Sequence, residues 1–272
     1  MIVNLDEWER YVVKPSATVD LNRTDSGATA LCADKKSARD ELKQYRKEID
    51  ELLHLLAVEG NRSLLVVLQG VDGSGKDGAV RRIFTGVNPQ HCTIISFKEP
   101  SRDETAHEYL WRIHRSIPVK GELCVFNRSQ YEDVLVPRAR GVLPVEKARV
   151  RLRQIADLER IWVENGITVR KFFLHISYEE QTTRFQSRLD TPEKHWKVKD
   201  SDFADRKLWP QFRTAYEEAI SRTSRRQAPW YLIPSDHKWY RDIAIAGVVL
   251  LTLRKMHPRL PMPELERARY AL

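Results

Sequence analysis

Residues 68 to 80 read LQGVDGSGKDGAV, and within them Gly70, Gly75 and Lys76 meet the spacing G-x-x-x-x-G-K. The pattern follows a short apolar run and precedes a helical stretch, the context in which it cradles phosphate. Gly70, Gly73, Ser74, Gly75 and Gly78 let successive backbone N–H groups turn toward one anion, the helix start adds partial positive charge, and Lys76 reaches the terminal phosphates. The bland alternative, a glycine-rich turn with a solvated lysine, explains neither the glycine density nor the context. One residue is out of place. Where a Ser or Thr hydroxyl ordinarily serves a magnesium ion stands Asp77, and a second carboxylate, Asp72, lies inside the loop. Both would repel a phosphate unless a divalent cation or several arginines stand between. Asp77 reads best as a cap of the following helix, satisfying free N–H groups and the dipole. Asp72 reads as metal or acceptor chemistry.

A second cluster is CVFNRSQYEDVLVPR, residues 124 to 138. Ligands of open parallel sheets bind beyond the carboxyl ends of the strands, so Asn127 and Arg128 should face Lys76 across a crevice. A metal-binding carboxylate would be ordinary at 127, and the residue is an amide. Glu132 and Asp133 follow about a helical turn later and either supply that charge or form an acidic helix start. Rim candidates after the second and last strands are Lys98, Glu99 and Arg102, then Asp236, Lys238 and Arg241, the latter set also readable as a salt-bridged helix start. Trp111 and Arg112 read as structural.

The third cluster, RLDTPEKHWKVKDSDFADRKLWPQF at 188 to 212, is rich in Lys, Asp and Pro and has no strand signal. A loop of that length inside a compact domain is functional or disordered. Trp196, Phe203 and Trp209 favour an ordered lid, with Trp196 and Trp209 packing it and His195 an exposed neighbour.

The elements that position these clusters follow from periodicity. SLLVVLQ (63 to 69) is apolar on both faces, as a strand buried in a parallel sheet should be. Residues 93 to 97, 122 to 126, 169 to 176 and 229 to 233 are the other strands. Helical spacing runs over 36 to 58, 77 to 85, 103 to 115, 145 to 165, 177 to 189, 205 to 222 and 238 to 256. Alternating strands and helices give an α/β fold: a doubly wound parallel sheet of about five strands in a three-layer sandwich, with a helical lid. Residues 1 to 34 read as an irregular N-terminal arm, and 35 to 272 as one domain that includes the lid.

With 272 residues and 42% hydrophobic content the chain suits one large core, and no apolar run reaches bilayer-spanning length. The opening MIVNLDEWER has no signal-peptide pattern, which predicts a cytoplasmic protein. Cys32, Cys92 and Cys124 are widely spaced and odd in number, against a disulfide framework or a zinc site. The net charge of +8 attracts a polyanion, and residues 181 to 230 carry eleven Lys or Arg against seven Asp or Glu.

Taken in order, GVDGSGKDG, SFKEPSRDE leading into HEYLWRIH, FNRSQYED, RLDTPEKHWK and APWYLIPSDHKWYR resemble the family-2 polyphosphate kinases, which move phosphate between inorganic polyphosphate and nucleotides. The resemblance covers most of the chain after the arm and implies that the sandwich is of the P-loop kinase kind. Many members read DRSWYNR in the third segment, whereas NRSQYED looks like the class III members, which accept AMP as well as ADP. The resemblance implies that Asp72 and Lys76 act at nucleotide phosphates and metal and that Arg128 contacts phosphate beside them. Arg188, Lys194 and Lys197 of the lid would grip the polyphosphate chain. Asn127 replaces the usual aspartate, with Glu132 or Asp133 as its substitute. It further implies Mg2+, or Mn2+ in its place; polyphosphate, AMP, ADP and ATP as ligands; and a homodimer or homotetramer, with neither nucleic acid nor membrane as partner. Rivals are an ATP-dependent nucleoside or nucleotide monophosphate kinase with the same loop and, more distantly, a nucleic-acid-binding P-loop ATPase, for which no recognition motif is present.

Overall fold

A computed structural model describes residues 4–261. Five parallel strands, β1 (Ser63–Gln69), β2 (Cys92–Ser96), β3 (Leu123–Asn127), β4 (Ile167–His175) and β5 (Trp230–Pro234), form one sheet in the order β2-β3-β1-β4-β5. The doubly wound parallel sheet read from the sequence is therefore present, each strand within two residues of its expected bounds. β1 lies at the centre with all seven residues buried, which is why it is apolar on both faces. In register, Leu68 of β1 and Ser96 of β2 both stand level with Asn127 of β3, so three strand ends meet at one carboxyl edge.

The helices are α1 (Lys35–Glu59), α2 (Lys76–Ile83), α3 (Arg102–Thr105), α4 (Trp111–His114), α5 (Glu132–Ala139), α6 (Val145–Glu164), α7 (Tyr178–Leu189), α8 (Asp200–Arg206), α9 (Trp209–Thr223) and α10 (Lys238–Met256). One sheet face is covered by α1, α2 and α10 over Leu64, Val66 and Leu68. The other face carries α5, α6 and α9 over Phe173 and Trp230. Helix α10 is apolar almost all round because the sheet lies on one side and α1 with the arm on the other. No helix among the described residues is long and apolar enough to cross a membrane.

Within 4 to 34 two short 3-10 helices, Leu5–Tyr11 and Leu21–Arg23, lie against the body. Trp8 is fully buried against α10, where a Cβ at Gly247 would run into its indole. Leu21 N donates to Glu217 of α9 at 2.9 Å.

Two expected helices are each divided. The stretch 103 to 115 becomes α3 and α4, because local side chains take over backbone partners: Ser101 and Glu104 close a capping box, and Glu108 accepts from Leu110 N at 2.7 Å. The stretch 205 to 222 is split into α8 and α9 because Pro210, which has no N–H and crowds the preceding turn, fits only in the first turn of a new helix.

Candidate active site

The loop between β1 and α2 has the backbone its glycines demand. Gly73 and Gly75 sit at φ of +83° and +93°, where side-chain-bearing residues are strained. A Cβ on Gly75 would also strike the Arg241 guanidinium. Lys76 is buried and its Nζ donates to Gly70 O at 2.6 Å and Val71 O at 3.3 Å, so the ammonium crosses the mouth of the loop. Burial, and then the neighbouring Arg128 charge, hold its pKa below the ordinary lysine value.

Arg128 stands just past β3 in a left-handed conformation, φ +66°. It donates to Asp72 at 2.7 Å and to Glu132 at 3.1 Å, which brings loop, strand end and α5 start to one point. Burial pushes the Glu132 carboxyl up, against the pull of Arg128 and Lys76. Asp133 points elsewhere: Arg112, anchored on Lys98 O at 2.9 Å, takes its carboxylate at 2.9 Å. Of the two substitutes expected for the absent aspartate, Glu132 is therefore the one beside Lys76 and Arg128, and Arg112 is structural.

Asp77 departs from the expectation of a cap. Gly75 holds the N-cap position without a side-chain bond, and Asp77 Oδ1 instead accepts from Asn127 Nδ2 at 2.6 Å. Ser96 Oγ lies 3.4 Å from the same amide nitrogen. The usual pair, a hydroxyl after the lysine and an acid on the strand, is thus inverted to an acid after the lysine and an amide on the strand. The carboxylate is kept at the same junction and changes element.

Arginines that periodicity did not single out hold the loop from behind. Arg184 of α7 donates to Gly73 O at 2.8 Å and Ser74 O at 2.9 Å, and also to Asp236 O at 3.0 Å. Arg241, read from sequence as a rim residue, is fully buried, pairs with Asp242 at 2.6 Å and donates to Ser74 O at 3.1 Å. Asp236 accepts from Ser177 N at 2.9 Å and does not cap α10, whose start has no side-chain cap. The motif sets the loop's own geometry; its clamps come from residues more than a hundred positions away.

The lid comprises a 3-10 helix, Pro192–Lys197, and α8. Arg188 pairs with Asp202 at 3.0 Å, and Asp202 is near enough to Asp72 for that charge to help raise its pKa, after burial. Lys194 bonds Ser187 Oγ at 3.0 Å, and Lys197 lies over the Trp196 ring. Trp196 is 76% exposed and does not pack the lid as expected; Trp209 instead meets Tyr178 edge-on where the lid rejoins the body. His195 is exposed. Next to the loop a cleft of about 330 Å³ is walled by Val71, Phe173, Tyr178, Trp209 and Tyr216, with Asn22 and Thr24 of the arm on its rim.

Among the described residues no three His, Cys, Asp or Glu side chains converge as a metal cage. Mg2+ needs only one or two carboxylates and completes its octahedron with phosphate oxygens and water, a number that Asp72 and Glu132 at this junction would supply.

This geometry can fix a chain of phosphates against buried cations and N–H groups while an acidic shell holds those cations in place. Comparison with known proteins agrees. Residues 32–261 match the family model Polyphosphate kinase 2 (PPK2). The chain is 43% identical over 257 residues to the AMP/ADP-polyphosphate phosphotransferase of Meiothermus ruber, covering 94% of this chain and 96% of that one. It is 33% identical to the ADP-polyphosphate phosphotransferase of Rhodopseudomonas palustris, covering 96% and 94%. The crystal structure of Polyphosphate Kinase 2 from Arthrobacter aurescens TC1 superposes with a TM-score of 0.91 at 34% identity, covering 96% of this chain and 94% of that one. Loop, sheet order and sequence lead to one assignment: the chain belongs to the polyphosphate kinase 2 family.

Proposed function

We propose that the protein transfers phosphoryl groups between inorganic polyphosphate and AMP or ADP, forming ADP and ATP, with Mg2+ (or Mn2+) as cofactor. The carrying observation is the junction at which Lys76, Arg128, Asp72 and Glu132 meet over the ends of β1 and β3. A terminal oxygen of the nucleotide forms a new P–O bond to the end phosphorus of the polymer. The bridging P–O bond breaks, and the chain leaves one phosphate shorter with the charge on its new terminal oxygen. A nucleotide phosphate is a competent nucleophile, so catalysis rests on alignment and charge compensation.

In this reading the loop N–H groups, Lys76 and Arg128 form the positive shell. Asp72 and Glu132 orient Arg128 and would offer the one or two carboxylates that Mg2+ needs. Arg188, Lys194 and Lys197 meet the polymer, whose binding is additive and salt-sensitive. The aromatic cleft beside Val71 takes the nucleoside. Acceptance of AMP as well as ADP follows the similarity to the Meiothermus ruber relative named for both. Self-association as a homodimer or homotetramer belongs to the same reading.

Purified protein, given ADP or AMP, Mg2+ and polyphosphate with no ATP, should form ATP or ADP. Absence of any new nucleotide, with transfer seen only when ATP is the donor, would favour the monophosphate-kinase rival and end this proposal.

A further inference from the structure

Between Arg128 and Glu132 lie Ser129, Gln130 and Tyr131, three consecutive residues with polar side chains and all fully buried. Buried polar groups are costly unless bonded, so three in a row need an account. Their bonds lead down into the layer between the sheet and α6. Ser129 is held by Gln69 at the end of β1, whose amide, oriented to satisfy both neighbours, accepts from Ser129 Oγ at 3.0 Å and donates to Glu132 at 2.9 Å. Gln130 Nε2 donates to Glu159 of α6 at 3.1 Å, and Tyr131 Oη donates to the same carboxylate at 2.8 Å. Glu159 is paired in turn with Lys171 of β4, and both side chains are shut off from solvent. Lys171 Nζ donates further to Tyr131 Oη at 3.2 Å and Thr223 O at 2.8 Å, which occupies all three of its protons.

A fully bonded buried ion pair is poor evidence of stability, because well-packed hydrophobic residues of similar volume often stabilise a fold as well or better. Its geometric effect is more specific. Three anchors fix the turn that holds Arg128 in the left-handed region and aims it at Asp72, while the first turn of α5 aims Glu132 at the same guanidinium. Neither end of the pair touches the loop or the crevice side chains, so it acts through the turn.

We propose that Glu159 and Lys171 are positioning residues for catalysis: through Gln130 and Tyr131 they hold the Arg128–Glu132 turn in the geometry that the transferred phosphate requires. This rests on the phosphotransferase reading above. Freed of its anchors, the turn lets the guanidinium drift; misplacement on the order of 1 Å costs about 100-fold in rate. Ground-state binding of a long polymer, spread over several cations, is much less sensitive.

The test pairs Glu159→Leu with Lys171→Met in one chain, removing both charges together, and uses Tyr131→Phe as a milder second variant that keeps the ring against Trp230. Thermal melting, kcat and KM for nucleotide and for polyphosphate are measured for each beside the unaltered protein. The expected result for the double variant is a folded protein with a lowered melting temperature, because the buried Gln130 Nε2 and Thr223 O lose their partners. Its kcat falls about 10- to 100-fold, with either KM changed less than about threefold. Tyr131→Phe should show the same split at smaller size. A folded double variant with unchanged kcat would overturn the proposal, as would a Tyr131→Phe variant that loses melting temperature but no kcat; if the double variant does not fold, Tyr131→Phe alone decides. An unaltered protein with no polyphosphate-dependent transfer would sink the functional reading itself, a distinct outcome.

Discussion

Lys76 shows how a single charge is tuned by its surroundings. Its pKa is lowered first by burial and then by Arg128, so in the anion-free fold it loses its proton below 10.5. Between the folded value and 10.5 the unfolded chain holds more protons, and stability rises with pH across that window. A bound phosphate chain favours the charged form and reverses the trend. Melting curves with and without tripolyphosphate should show the ligand's stabilisation shrinking as pH climbs toward 10.5. A ligand effect that does not vary with pH would contradict this role for Lys76. Asp77→Ala should remove the acceptor of the Asn127 amide, cost about 1 kcal/mol of stability and lower kcat more than its stability loss explains; an unchanged kcat would leave Asp77 a structural residue. The glycines and Lys76 were legible in the sequence because their work is local. The Asp77–Asn127 bond was not, because a separation of 50 residues hides it and a carboxylate in a first helical turn has a ready explanation in the dipole.

Among the elements, β1 and β3 were readable because parallel strands buried on both faces leave continuous apolar runs. The broken helices were not, since the apolar period continues across 103 to 115 and 205 to 222 while side-chain bonds and Pro210 interrupt the backbone. The lid returns to the body through α9, whose first residue, Trp209, walls the aromatic cleft. If the cleft takes the nucleoside as proposed, Trp209→Ala should raise KM for the nucleotide about 10-fold and leave KM for polyphosphate within about twofold; a rise for the polymer alone would place the nucleoside elsewhere. On the lid, Asp202→Asn frees Arg188 from its ion pair. Polyphosphate affinity should then rise at low salt and the slope of affinity against salt concentration steepen, since one more cation is available to phosphate. A slope unchanged in binding titrations would remove Arg188 from the polymer path.

Across the whole molecule, the arm is tied to the kinase body by side chains the sequence pattern did not assign. Trp8 fills the space left open at Gly247, in the middle of a helix where glycine is otherwise unfavourable. Gly247→Ala should therefore destabilise the protein by about 1–3 kcal/mol despite alanine's better helix propensity, as read by denaturant unfolding. A stabilised variant would mean that the indole moves aside freely. The arm also supplies the rim of the cleft through Asn22 and Thr24, so its attachment and the proposed nucleoside cleft are coupled in space. In the proposed mechanism one crevice aligns two phosphorylated molecules for direct transfer. That transfer is tested most directly by mixing polyphosphate labelled in its phosphorus with unlabelled ADP and Mg2+, then following the label in unaltered protein and in Lys76→Met. Direct transfer gives ATP labelled only in its terminal phosphate, no label retained on the protein, and a rate about 100- to 1,000-fold lower in the variant. Label held on the protein, or ATP made as fast without the lysine, would contradict it.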